Sequence, residues 1–236
     1  MERQEQQCFL ERCRVRPEQL LTLNCPYDPP AAAPLDEVHA LMIGGAGEYS
    51  AIEDYPWMEG LLDLVREAAR RKLPTFGSCW GHQIIARALG GTVVHDAELA
   101  ELGCLEVTLT DAGHADPLFQ RFPARFKANM GHHDRVASLP PGAVELARND
   151  QPHQAFRLPD APVYGTQFHS ELDAVREEER LVAYREYYRA DLPNEKDFKR
   201  VIADLAETTE VDHLLYDFLT TYTLPVAPSP GNNIPS

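Results

Sequence analysis

Residues 73–91 read LPTFGSCWGHQIIARALGG, and the way this stretch divides decides the fold. LPTFGSC is a short strand by its apolar and aromatic content, and WGHQIIARALGG is a helix closed by glycines, as helix C-termini favour. Cys79 falls where the two meet, with Gly77 and Gly81 two residues away on either side. A sharp strand-to-helix turn brings its flanking backbones close, so small residues are needed at those two places. Such a turn exposes the thiol at the carboxyl end of a sheet and beside a helix N-terminus, which favours thiolate. It also aims free backbone N–H groups at a developing oxyanion. A buried cysteine between coincidental glycines is the plainer alternative. The predicted strand, turn and helix weigh against it.

Working outward, VHALMIGG (38–45) reads as a buried strand ending in glycines. WMEGLLDLVREAARRK (57–72) carries Leu61, Leu62, Val65, Ala68 and Ala69 at helical spacing. Strand, helix, strand, helix in that order implies parallel strands with crossover helices, an α/β layer. From about 92 to 170 the pattern shifts to short strands: TVVHD, CLEVTLT, FKANMG, RVASL, AVELARN, QAFRL and VYGTQFH. Helical patterns return over about 174–190, 195–207 and 211–222. Upstream, 2–14 reads as a helix, LLTLNC (20–25) as a short strand and CPYDPPAAAP (25–34) as a proline-rich loop. A domain of this kind opens on a strand, whereas this chain opens on a helix, so the first strand is expected to be absent. The organisation expected is one domain over 1–222, with a core at 36–171 and a helical extension at 174–222. A disordered proline- and glycine-rich tail, 223–236, follows.

The extended run VYGTQFH ends in His169, and Glu171 stands two residues on. Residues i and i+2 of an extended chain point to the same side, so Glu171 can fix the tautomer of the imidazole. The other ring nitrogen is then left to face the thiol. A His-x-Glu pair alone is ordinary polar surface; joined to the turn at Cys79 it supplies a base and its orienter. In MIGGAGEYS (42–50), Gly44-Gly45 ends a strand and leaves N–H groups open beside the turn. With the N–H of Trp80 they would form a two-donor oxyanion hole; taken by itself the loop reads equally as a plain glycine turn.

The whole chain sets bounds on these readings. With 37 acidic against 22 basic side chains the formal net charge is −15, which disfavours nucleic acid and anionic lipid as partners. The five cysteines are odd in number and irregularly spaced, which argues for free thiols rather than a disulfide framework or structural zinc. The N-terminus, MERQEQQCFLERCR, is polar, and no apolar run approaches the ~20 residues of a membrane span. A cytoplasmic protein is expected.

Together these stretches resemble the class I glutamine amidotransferase domain, in the subgroup similar to the glutaminase half of GMP synthase. The likeness runs from about 36 to 171. It includes MIGGAGEYS for the Gly-Gly-Pro loop, EDYPWMEGLLDLVREA for the next helix and FGSCWGHQIIARALGG for the nucleophile turn. GHHDRVASLPPGAVELARND stands for the His-Gly-Asp-x-Val segment, with QAFRL behind it, and GTQFHSE for the His-Pro-Glu signature. The fold implied is α/β: a flavodoxin-like doubly wound sheet with mostly parallel central strands, an added antiparallel region and C-terminal helices. The resemblance implies Cys79 as nucleophile, His169 as general base and acid, and Glu171 as orienter. It implies Gly45 and Trp80 as oxyanion donors, and Gln83 as a residue holding glutamine. No cofactor or metal is implied. Ala46 and Ser170 replace prolines of the family pattern, and His133 stands where glycine is common, which would narrow the substrate pocket. After Glu171 the sequence has no Gly-rich phosphate loop, so the chain is not expected to make GMP alone.

Three functions stay open at this stage. One is a glutaminase, acting alone or feeding ammonia to an acceptor synthase subunit. The second is a stand-alone γ-glutamyl peptide or amide hydrolase. The third is a catalytically silent binding or regulatory protein. His132, His133, Asp134 and His153 show no ligand pair at helical spacing and are not expected to hold a metal. Tyr184, Tyr187 and Tyr188 are expected to pack against the sheet, REEER (176–180) to be a solvated helix face, and LLYDFLTTY (214–222) to close the core.

Overall fold

The computed structural model describes residues 2–30, 33–189 and 192–223. After helix α1 (Glu2–Cys13), strand β1 (Leu41–Ile43) leads into helix α2 (Met58–Arg70), strand β2 (Thr75–Ser78) and helix α3 (Trp80–Ala88). Short strands follow: β3 (Thr92–His95), β4 (Glu101–Leu109), β5 (Arg125–His132), β6 (Asp134–Ser138), β7 (Val144–Arg148), β8 (Ala155–Arg157) and β9 (Val163–Thr166). A short helix α4 (Asp111–Ala115) separates β4 from β5, and helices α5 (Ala174–Ala183), α6 (Glu195–Asp204) and α7 (Leu214–Tyr222) end the described chain.

Seven strands form one sheet in the order β1-β2-β9-β8-β7-β4-β5, and β3 pairs with β6 in a separate ribbon. The block β1-β2-β9 is parallel, and the strands from β8 outward pair antiparallel, as the expected added region requires. All four residues of β2 are buried, because helices cover both faces of the parallel block. On one face Leu61, Leu62 and Val65 of α2 and Ile84 and Ile85 of α3 pack with Val163 and Phe156. On the other, Phe9 and Cys13 of α1 and Leu214, Leu215 and Phe218 of α7 pack with Phe76 and Tyr164. Each such fully buried Leu or Phe stabilises the fold by about 1.5–3 kcal/mol, so α1 and α7 are integral to it. The closing role expected of 214–222 is met.

Among the described residues no strand precedes β1, which is a sheet edge paired to β2 alone. The strand expected at 20–25 does not form. The polar end of that run turns back on itself: the Asn24 N–H donates to the Asp28 carboxylate, and the Tyr27 N–H to the Asn24 carbonyl. The apolar residues of the run pair with no strand and line a cavity beside β1 instead. The helix expected over 174–190 ends at Ala183 and gives way to turns. The tail expected at 223–236 lies, but for Thr223, outside the described residues.

Candidate active site

Cys79 is the hinge between β2 and α3, held at φ 50°, ψ −102°. A non-glycine residue there is strained, by about 1–3 kcal/mol, and persists only where the surroundings enforce it. The two flanking glycines supply that enforcement. A Cβ on Gly77 would lie 2.4 Å from the Gly81 carbonyl, and one on Gly81 would lie 2.1 Å from the Ile43 carbonyl of β1. The Cys79 N–H donates to the Thr166 carbonyl of β9 at 2.8 Å, fixing the turn to the sheet. Trp80 opens α3, so its backbone N–H belongs to the helix end that lacks intrahelical acceptors.

His169 lies just beyond β9, where its N–H donates to the Asn129 carbonyl at 3.0 Å. Its Nδ1 is 2.6 Å from Oε1 of Glu171. Both groups are buried. Burial opposes the charged imidazole, yet Glu171 and Cys79 together raise His169 well above its ordinary value. Burial likewise opposes the Glu171 carboxylate, but His169 and Ser78 hold it below the ordinary value. Ser78, the last residue of β2, donates from Oγ to Oε2 of Glu171 at 2.7 Å. The fold brings the Cys79 thiol, the His169 imidazole and the Glu171 carboxylate to one place.

The other expected site residues are arranged less simply. Gly45 stands against the imidazole: a Cβ built on it would lie 3.4 Å from His169 Cε1. Its N–H donates to the carboxylate of Glu5, on α1, at 2.9 Å. Gln83 lines the cavity, but its amide donates to the Asp134 carbonyl at 2.5 Å and to Gln167 at 3.2 Å. Gln167 in turn approaches the thiol, with Nε2 3.7 Å from Sγ. His133 is buried and forms a cavity wall with Tyr187 and Tyr188, ring centroids 4.8 and 5.2 Å away. Its neighbours are claimed by structure. His132 Nε2 lies 3.1 Å from Glu101, and Asp134 accepts from Ser50 Oγ and the Ala51 N–H while meeting His95 Nδ1 at 2.8 Å.

The tyrosines of 184–188 face the cavity rather than simply packing on the sheet. A Cβ on Gly47 would lie 2.8 Å from the Tyr184 ring, and the Tyr188 hydroxyl donates to the Gly131 carbonyl at 2.9 Å. That same carbonyl is 3.9 Å from Cys79 Sγ.

REEER is solvated only in part: Glu178 and Glu179 are exposed, whereas Arg176, Glu177 and Arg180 are partly or wholly buried. Glu177 is 2% exposed and Arg180 is largely buried, because α5 turns its Glu177, Arg180 and Leu181 side toward the site. Burial raises the Glu177 carboxyl above its ordinary value and brings Arg180 down to about 10, still charged at neutral pH. Arg180 Nη1 is 4.0 Å from Oε1 of Glu171, and its Nη2 donates to Glu5. Sequence reasoning missed Glu5, Ser78, Gln167 and Arg180 as parts of the site. Only Ser78, adjacent to Cys79, carried a local signal.

Cys79, His169, Gly45, Trp80 and the tyrosines line one cavity of about 1340 Å³, which extends along β1 to residues 20–27. The remaining thiols stand apart in chemistry. Burial pushes both Cys8 and Cys13 up to about 12, which leaves them protonated. No described helix is long and apolar enough to cross a membrane.

Comparison with known proteins gives a consistent result. The family model described as glutamine amidotransferase class-I matches residues 19–185. A GMP synthase (glutamine-hydrolyzing) subunit from Pyrococcus furiosus is 33% identical over 146 residues, 61% of this chain and 74% of the relative. Its counterpart from Thermococcus kodakarensis is 31% identical over 144 residues, 61% and 74% of the two chains. Among solved structures, a glutamine amido transferase from Methylobacillus flagellatus matches with TM-score 0.71 at 24% identity, over 95% of this chain and 92% of that one. That last likeness is one of fold.

Proposed function

The chain belongs to the glutamine amidotransferase class-I family, and from that premise we propose that it hydrolyses the side-chain amide of glutamine through Cys79, His169 and Glu171. One observation carries the reading. A thiol on a strained strand-to-helix turn (φ 50°) shares a buried site with an imidazole that Glu171 holds at 2.6 Å. Strain and buried charge of this kind persist where chemistry uses them.

The thiol proton passes to His169, and Sγ attacks the amide carbon of the substrate. The carbonyl oxygen takes up negative charge, which the Trp80 N–H at the start of α3 stabilises, joined by the Gly45 N–H once that group leaves Glu5. His169 then gives its proton to the departing nitrogen, the C–N bond breaks and ammonia leaves a γ-glutamyl thioester. Water, deprotonated by His169, attacks the thioester; glutamate departs and the thiol is restored. Glu171 keeps the imidazole oriented and stabilises it when charged, and Ser78 keeps Glu171 in place. Gln83 and His133 line the substrate pocket.

Ammonia passes to solvent or to an acceptor synthase subunit; the relatives named as GMP synthase subunits support the second route. A small molecule is the substrate and no cofactor takes part. One observation favours a second substrate class. The cavity that holds Cys79 does not end at the thiol but runs on along β1 to residues 20–27, which leaves room for the leaving group of a γ-glutamyl peptide or amide.

The test is release of glutamate and ammonia from glutamine, beside a panel of γ-glutamyl dipeptides, with Cys79→Ala as control. Glutamine turnover lost in the control supports the glutaminase. Preferential cleavage of the dipeptides moves the assignment to the second class. Inertness of folded protein toward all of them overturns both.

A further inference from the structure

The Gly45 N–H is not free for a developing oxyanion. Glu5 of helix α1 lines the cavity, and its Oε1 accepts the Gly45 N–H at 2.9 Å. The carboxylate also lies against the preceding residue: a Cβ on Gly44 would fall 2.0 Å from Glu5 Oε1, so a larger residue there would push the carboxylate from this position. The second oxygen of Glu5 accepts from Arg180 Nη2, and the Arg180 Nε donates to Gln4 Oε1 at 3.0 Å. Arg180 is itself 4.0 Å from Glu171. The helix that carries Glu5 is anchored by Phe9 and Cys13 in the core and by the Arg12–Asp212 ion pair, 3.0 Å. A carboxylate is therefore held, by a guanidinium and a backbone amide, against the peptide that flanks His169.

We propose that α1 is an intrasteric plug: Glu5 occupies the Gly45 donor of the oxyanion hole and holds the enzyme in a low-activity state until that carboxylate is displaced. Two effects act in the same direction. The donor is taken, so one of the two hydrogen bonds that stabilise the transition state is missing. A fixed negative charge also stands beside the place where the oxyanion forms, and like charges disfavour one another. The Gly44-Gly45 pair gives the peptide the conformational freedom to turn toward the thiol once it is released. Arg180 is the latch. Charge-assisted pairs of this kind are the stronger hydrogen bonds, and burial shields this one from screening by solvent.

The inference rests on the glutaminase reading for its substrate, so the experiment carries two readouts. Glutamine hydrolysis is measured for the full-length chain and for Glu5→Ala and Glu5→Gln. In parallel, the rate at which a glutamine-like ketone electrophile labels Cys79 is measured for the same three proteins. The ketone oxygen uses the same hole without any need for turnover. Phe9 and Cys13 remain to seat α1, and thermal melting checks that they do. Because one oxyanion donor is worth about 10²–10³ in kcat, Glu5→Ala is expected to raise kcat by up to ~10²-fold with a smaller change in KM. Glu5→Gln still offers an oxygen to Gly45 but loses the charge pair with Arg180, so its gain is expected to be smaller. Glutamine turnover at equal or lower rates in folded Glu5→Ala and Glu5→Gln overturns the plug and leaves the glutaminase standing. No glutamine turnover in any protein, with ketone labelling faster in Glu5→Ala, supports the plug and overturns the glutaminase. Equal labelling rates overturn the plug whatever the turnover.

Discussion

Ser78→Ala removes a single oxygen from behind the site and tests whether the buried carboxylate depends on it. The Ser78 hydroxyl donates to Glu171 Oε2 at 2.7 Å, and both side chains are 0% exposed. A hydrogen bond to a charged group is worth about 1.5–3 kcal/mol, and no bulk water reaches this pair to replace it. Taking about 2 kcal/mol, and about 2–4 °C per kcal/mol for a chain of this size, Tm should fall by roughly 4–8 °C at pH 7. The loss has a defined pH dependence. Glu171 is held below the ordinary value of 4.5, so its contribution to stability is present above pH 4.5 and disappears as pH falls through the lowered folded value. The gap between wild type and variant should therefore be full at pH 7 and shrink below about pH 4.5. His169 keeps its 2.6 Å contact with Oε1, so kcat should drop by no more than about tenfold while KM stays put. Thermal melts at pH 7 and pH 4, with steady-state kinetics at pH 7, make the test. An unchanged Tm at pH 7, or an equal loss at both pH values, would refute the reasoning.

Glu171→Gln keeps the shape of the side chain but ends the charge pairing with His169, so kcat should fall by roughly 10⁴-fold with near-native circular dichroism. A kcat within tenfold of wild type would remove Glu171 from the mechanism. Gly81→Ala places a Cβ 2.1 Å from the Ile43 carbonyl, a backbone atom that cannot swing aside. The cost should reach or exceed the upper end of about 1–3 kcal/mol, read by chemical denaturation, and a variant as stable as wild type would contradict the packing of the turn.

The turn at Cys79 was legible because its requirement is local. Two glycines flanking Cys79 at a strand-to-helix junction answer to clashes of 2.4 and 2.1 Å that any sequence in this conformation must avoid. The His169–Glu171 pair was legible from its i, i+2 spacing, although β9 ends at Thr166 and the chain around the pair is bent rather than an extended run. What escaped depends on distant partners. Glu5 meets Gly45 across forty residues and Arg180 across 175. REEER looked like solvated surface because a charge run normally is; here Arg180 faces inward because Glu5 and Gln4 meet it there. LLTLNC misled in the opposite sense. Its apolar content is that of a strand, but the turn at 24–28 claims its polar end and the run pairs with no strand. The short parallel block was read from strand–helix alternation, whereas the residues after 92 showed only a run of short strands, and their antiparallel pairing was implied by the family resemblance.

The most direct measurement is acid quench of the chain during glutamine turnover, followed by intact and peptide mass spectrometry. The expected result is a γ-glutamyl adduct on the peptide that contains Cys79, absent in Cys79→Ala, which also releases no ammonia. Ammonia release that survives Cys79→Ala, or an adduct on any other residue, would contradict the mechanism at its centre.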